Sequence, residues 1–102
     1  VVSEPIFAYT IKDIRGTDLT GTNTMYENAP VREMHKDDVQ EVGFRQKMTL
    51  QGGEYMLSLG CTGYCDGDFE VFHRLYDICN LSVMSAKNTI GFYDIHSSVI
   101  LK

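Results

Sequence analysis

Lys47-Met-Thr-Leu-Gln-Gly-Gly-Glu-Tyr-Met-Leu-Ser-Leu-Gly-Cys61 sets two alternating runs on either side of a Gly-Gly pair. That is a short-range hairpin signal, because both glycines tolerate the positive φ a tight turn demands. Upstream, Val42, Phe44, Met48 and Leu50 share one parity; downstream, Tyr55, Leu57, Leu59 and Cys61 do the same. The two apolar faces then lie on one side of a ribbon that is not stable alone. The rest of the chain must cover that face.

Outward from the hairpin the signals stay β-like. Pro5 to Lys12 places Phe7, Tyr9 and Ile11 on one face, with Pro5 suited to a strand's first residue, where no ladder hydrogen bond is lost. Asp13 to Asp18 reads as a turn. Leu19 to Thr24 is a short strand in which Gly21 marks a bulge or a close backbone approach. Residues 5–24 thus form a second hairpin. Met25 to Asp38, with Pro30 and many charges, reads as a surface loop with room for one helical turn near Val31 to His35. Gly63 to Asp68 reads as a loop. Phe69 to Leu75 is apolar without a clean period. Asp77 to Val83 alternates again, with Cys79, Leu81 and Val83 on one side, and Ser85 to Asn88 turns into a β-rich end, Thr89 to Lys102. No stretch of ten residues holds a 3.6-residue period. About six or seven short strands are expected, and the fold is all-β, an antiparallel sandwich or small barrel.

At 102 residues the chain is expected to be one domain, 1–102, with a single core. No apolar run reaches the ~18–20 residues of a membrane span, and Val1 to Glu4 lacks the features of a signal peptide. Fourteen acidic against nine basic residues give a net charge of −5. Phosphate backbones repel such a domain, so nucleic acid is not an expected partner. Three cysteines, Cys61, Cys65 and Cys79, are an odd number, which fits reduced thiols better than a disulfide framework.

Catalytic and metal patterns are weak. Asp66, Asp68 and Glu70 could begin a calcium loop, but the later Gly and twelfth-position Glu of an EF-hand are missing. Cys61, Cys65, His73 and Cys79 could form a four-ligand zinc set only with a His-x5-Cys pair that no common module uses. A cysteine nucleophile would need a His partner, which His35, His73 and His96 leave open. Lipase-elbow, zincin and Walker motifs are absent. No metal or cofactor is expected. The parity opposite the core is more informative. Arg45, Lys47, Ser58, Thr62 and Asn80 project from it, with Tyr64, His73 and Tyr76 alongside. Small hydroxyls, a few cations and aromatic rings can hydrogen-bond and stack sugars, although an ordinary solvated sheet face has the same pattern.

Three ordered segments carry a family resemblance. Pro5-Ile-Phe-Ala-Tyr-Thr-Ile-Lys-Asp-Ile-Arg-Gly-Thr-Asp-Leu-Thr-Gly-Thr-Asn-Thr24 resembles a P-x-F-G-[FY]-x-I-x-[DN]-x-x-G-x-x-[LV]-x-G-T-N-[ST] pattern, with Ala8 at its first Gly. Leu50-Gln-Gly-Gly-Glu-Tyr-Met-Leu-Ser-Leu-Gly60 is similar to L-x-x-G-x-Y-x-[LI]-[ST]-x-G, and Arg74 to Val83 to a Y-D strand ending in Val. The family is the C-terminal domain of the ATP-binding subunits of polysaccharide ABC exporters, the Wzt C-terminal type of O-antigen export. The resemblance implies an antiparallel β-sandwich, immunoglobulin-like or jelly-roll, of about six to eight strands, without catalysis, that binds a finished or capped polysaccharide. It also implies a larger exporter subunit acting with a transmembrane partner at the cytoplasmic face of the inner membrane. Such domains commonly form homodimers, in some members by exchange of a C-terminal strand. Two departures stand out. Only Val1 to Glu4 precede the Pro-x-Phe segment, where the family has further strands, so the chain looks like a truncated domain or a shortened variant. The chain also has no Trp, leaving Tyr, Phe and His for any aromatic platform. The eight candidate sugar contacts rest on face parity, not on the family. The alternative is a structural or dimerisation sandwich that binds no sugar.

Overall fold

The computed structural model describes residues 1–102. Its regular structure is one antiparallel sheet of four strands, β1 (Ser3–Asp13), β2 (Asp18–Asn23), β3 (Gly53–Cys65) and β4 (Asp68–Val83), in the order β2-β1-β3-β4. There is no helix, so the one helical turn allowed near Val31 is not formed; Met34 instead bridges Val2. Four strands, not six to eight, are present. The two expected ones that are missing are Val39 to Leu50 and Thr89 to Lys102.

The β1–β2 hairpin forms as its sequence predicts. The Asp13 carboxylate accepts from the Arg15 and Thr17 amides at 2.9 and 2.8 Å, and Gly16 takes φ +88° in the turn. Gly21 opposes Thr10, and a Cβ there would stand 2.5 Å from the Tyr9 carbonyl oxygen. This is the close backbone approach its position suggests. Gly21-Thr22-Asn23-Thr24 then closes the strand. The Asn23 side-chain oxygen accepts from the Tyr26 amide at 2.7 Å, and buried Thr24 accepts through its hydroxyl from the Phe7 amide at 3.1 Å. These bonds satisfy backbone groups where the ladder ends. Pro5 lies inside β1 rather than at its start. It sits where the β1–β3 register skips between Ser3 and Ile6, a bulge that spares a ladder bond.

The Gly-Gly hairpin does not form. Gly53 opens β3, and β3 pairs with β1 and β4 rather than with the run before it. The turn that builds the β3–β4 hairpin is Asp66-Gly67, with φ +52° and +83° and Cys65 opposite Asp68. Positive φ at both central residues is the two-residue turn that follows strand twist, so the expected acidic loop is a tight turn. Residues 39–48 take part in no backbone–backbone hydrogen bond. They run over the sheet with alternate residues turned inward: Phe44 meets Tyr9 edge-on at 4.8 Å, Gln46 accepts from the Tyr9 hydroxyl, and Leu50 is buried. The chain end is likewise not a strand; Tyr93 bridges Leu50 and donates its hydroxyl to the Leu19 carbonyl.

The apolar parity is as the sequence sets it. Ile11 opposes Leu57, Tyr9 opposes Leu59 and Phe7 opposes Cys61, while Leu81 opposes Tyr55 and Cys79 opposes Leu57. The fully covered core on this inner face is small: Ile11, Leu50 and Tyr55, with Leu19, Leu57, Leu81, Val83 and Tyr93 against them. Tyr55 donates to the Gln51 carbonyl at 2.6 Å, and burial pushes its hydroxyl pKa up.

β4 is interrupted twice. Between the Leu57–Cys79 and Leu59–Leu75 pairs it carries two extra residues, and Asp77 there takes φ +48°. One more residue, Phe72, is inserted between the Cys61–His73 and Thr62–Val71 pairs. That single insertion flips the parity. Leu75 and His73 point with the core, whereas Val71 and Phe69 oppose Thr62 and Tyr64 on the outer face. The lack of a clean period in Phe69 to Leu75 has this cause.

Candidate functional site

The outer face of the sheet holds a groove of about 470 Å³ running from β2 across β1 and β3 to β4. Ala8, Thr10, Ser58, Gly60 and Thr62 form its floor, and Tyr64, Phe69, Arg74 and Tyr76 rise along one side. The aromatic wall follows from local geometry. The Asp66-Gly67 turn sets Phe69 directly opposite Tyr64, and their rings meet edge-on with centroids 5.4 Å apart. The two-residue bulge turns Tyr76 over Lys12, whose ammonium lies 5.3 Å from the ring centroid and 3.9 Å from the Asp77 carboxylate. Buried Ser58 holds that bulge by accepting the Asp77 amide at 2.9 Å. Its hydroxyl is committed to shape rather than held out to a ligand.

The eight candidates do not gather in one place. Ser58, Thr62, Tyr64 and Tyr76 line this groove. Asn80 shares the face but lies beyond it, opposite Met56. His73 is on the inner face, opposite Cys61. Arg45 and Lys47 belong to the segment that is not a strand, so parity along it does not place them on the outer face. Arg45 lines a second cavity of about 750 Å³ between the inner face and residues 29–46, with Phe7, Tyr9, Val42 and Phe44. Glu27 and Glu41 are there too, and Arg32 is already spent on Asp38, Gln40 and the Val39 carbonyl. This larger space is the unfilled gap between the sheet and its cover. The outer groove is the more firmly built of the two, because its walls are paired strands.

Sequence reasoning passed over Arg74, Phe69, Lys12 and Asn23. Arg74 had a signal, since it is the lone cation in the apolar stretch from Phe69 to Val83. Phe69 had one too, because a two-residue Asp66-Gly67 turn places it opposite Tyr64. Chemically the groove offers hydroxyls, aromatic faces and one guanidinium. No carboxylate, histidine or thiol lines it, so the paired acids of glycoside hydrolysis are missing there. No three His, Cys, Asp or Glu side chains converge to hold a metal ion. Asp66 is in the turn itself, Cys65 opposes Asp68, and Cys79 lies far along β4 from the Cys61–His73 pair.

The family model described as the Wzt C-terminal domain matches residues 1–95. The chain belongs to the Wzt C-terminal domain family. A solved structure, the crystal structure of the C-terminal domain of Wzt, is similar with a TM-score of 0.83 and 26% identity. The match covers 96% of this chain and 60% of that one, so the chain spans less than two thirds of its solved Wzt relative. No curated protein matches at a significant level. The all-β, helix-free antiparallel sheet is thus the fold of a Wzt C-terminal domain over most of this chain. No helix here is long and apolar enough to cross a membrane.

Proposed function

We propose that this domain recognises a finished cell-surface polysaccharide for an ABC exporter, binding it in the outer groove without chemical change. The single observation that carries the reading is the groove of a Wzt-family sheet, lined by hydroxyls and aromatic rings and by no acid–base pair. Aromatic faces take the C–H side of a pyranose while Thr62 and Thr10 reach its hydroxyls. The domain would act as part of a larger ATP-binding subunit, with a transmembrane partner, at the cytoplasmic face of the membrane. Calorimetric titration of the full-length protein with the polysaccharide of its own cell tests this. Binding that Tyr76→Ala weakens several-fold supports the reading; no heat at saturating glycan overturns it.

The same reading makes the sheet one layer of a β-sandwich. The accessible surface is 8018 Å², against about 5,800 Å² for a compact monomer of this mass. Residues 39–48 make no backbone–backbone hydrogen bond and touch the sheet through Phe44 and Gln46 on Tyr9, as a strand awaiting a second sheet would.

A second reading, an assembly domain, is favoured by the exposure of Ile95, Val99, Ile100 and Leu101 near the chain end. Deleting residues 99–102 and measuring mass by light scattering separates the two. A dimer that persists after the deletion sinks the assembly role of this end.

A further inference from the structure

We propose that the outer groove selects an acidic sugar, one bearing a carboxylate, and that Arg74 is the residue that reads it. The proposal rests on the glycan-binding reading above and narrows it to a ligand class. Arg74 opposes Gly60 in the sheet. With no side chain on Gly60, the guanidinium has open floor beside it. Its one polar contact is a long one, Nη1 donating to the Tyr76 hydroxyl at 3.5 Å, and it makes no ion pair. Lys12, the neighbouring cation, is occupied by Asp77 and by the Tyr76 ring. The chain as a whole carries −5, yet the groove lining holds one positive charge and no negative one.

That local inversion decides the ligand class. A neutral glycan could be held by the hydroxyls and rings alone, and a guanidinium with most of its donors unused would add little. A carboxylate matches the planar fork with two parallel charge-assisted bonds, and a sugar ring carrying it would lie against Tyr76 and Tyr64. The acidic remainder of the surface repels polyanions at large. Discrimination would therefore be confined to the groove, and attraction there weakens as salt rises.

The test uses the full-length protein and two sets of probes: short oligomers of a hexuronic acid, and the same oligomers after carboxyl reduction to the neutral sugar. The acidic oligomer is expected to bind at least about ten-fold more tightly at low salt. Arg74→Gln should abolish the difference between acidic and reduced oligomers, and Arg74→Lys should restore part of it, since charge returns without the fork. A phosphorylated neutral oligomer identifies the anion: binding tighter than that of the uronic acid, and lost in Arg74→Gln, would overturn the carboxylate assignment. Equal binding of acidic and reduced oligomers, insensitive to Arg74→Gln, would refute acid selection and leave glycan recognition standing. Absence of binding by every probe and by the native polysaccharide would remove both. Circular dichroism of the variants keeps folding out of the comparison, Arg74 being at the surface.

Discussion

Replacing Gly21 by alanine tests the account of the β1–β2 pair most directly. The new Cβ would stand 2.5 Å from the Tyr9 carbonyl oxygen and 3.1 Å from the Thr10 Cα. Both are backbone atoms, so no rotamer change relieves them. Reaching an ordinary contact of about 3.4 Å moves the strands apart by roughly 0.9 Å, which carries the adjoining ladder bonds from about 2.9 Å past the range of a good hydrogen bond. One or two such bonds at about 1 kcal/mol each, with residual crowding, cost about 2–3 kcal/mol. The stiffer unfolded chain returns about 0.4–1 kcal/mol. The net loss is about 2 kcal/mol, or a fall in Tm of about 8–16 °C. Two other glycines calibrate the measurement. Gly16→Ala meets no atom within 4 Å but must hold φ +88°, costing about 1–2 kcal/mol. Gly43→Ala meets nothing and has no such φ, so its melting should stay within about 0.5 kcal/mol of the parent. Thermal melts of the three variants by circular dichroism give the order. A Gly21→Ala protein melting within about 3 °C of the parent would refute the steric argument.

Thr24→Val keeps the shape of the side chain but leaves the Phe7 amide without its 3.1 Å acceptor. The expected loss is about 1–2 kcal/mol, with amide exchange at Phe7 rising more than at its neighbours. Burial raises the Cys61 thiol pKa, whereas Cys79 is exposed, so iodoacetamide at neutral pH should label Cys79 before Cys61 by mass spectrometry. The Lys87 ammonium, 2.9 Å from Asp94, and then the His96 amide lower the Asp94 carboxyl pKa. Stability from this group is therefore fully present above the ordinary carboxylate pKa and is lost as pH falls through the lowered folded value. An NMR titration should show its midpoint moving up in Lys87→Ala.

How much of this was legible depends on what alternation reports. It marks which side chains face the core, and the opposition of Tyr55, Leu57, Leu59 and Cys61 to Leu81, Ile11, Tyr9 and Phe7 follows from it. It says nothing about which strand receives a backbone hydrogen bond. Val42 to Leu50 alternates just as β3 does, yet its backbone pairs with no strand, and so the Gly-Gly hairpin was wrong where its parity was right. Asp66-Gly67 is itself a strong two-residue turn signal, and the loop expected over Gly63 to Asp68 contains it without marking where the strands on either side begin. The site was less legible than the fold. Arg45 and Lys47 were placed by extending parity through a segment that is not in the sheet. His73 follows the core parity of Leu75 and Cys79 and so falls on the inner face. Phe69 reaches the groove through the Asp66-Gly67 turn, which sets it opposite Tyr64, while the Phe72 insertion breaks the period that would otherwise link it to Leu75.

That insertion and the two-residue bulge at Asp77 also divide labour within the domain. Extra residues in one strand bend it and increase its twist, so the groove takes its curvature from backbone irregularities in β4. The groups that maintain them are not the groups that face a ligand. Ser58 secures the Asp77 bulge from a buried position, and the Phe72 ring stands 3.3 Å from where a Cβ on Gly63 would be, on the inner side. Arg74, Tyr76 and Thr62 are free of that duty. A lineage could exchange these three for other side chains, and so change what the proposed site takes, without disturbing the mould that holds them.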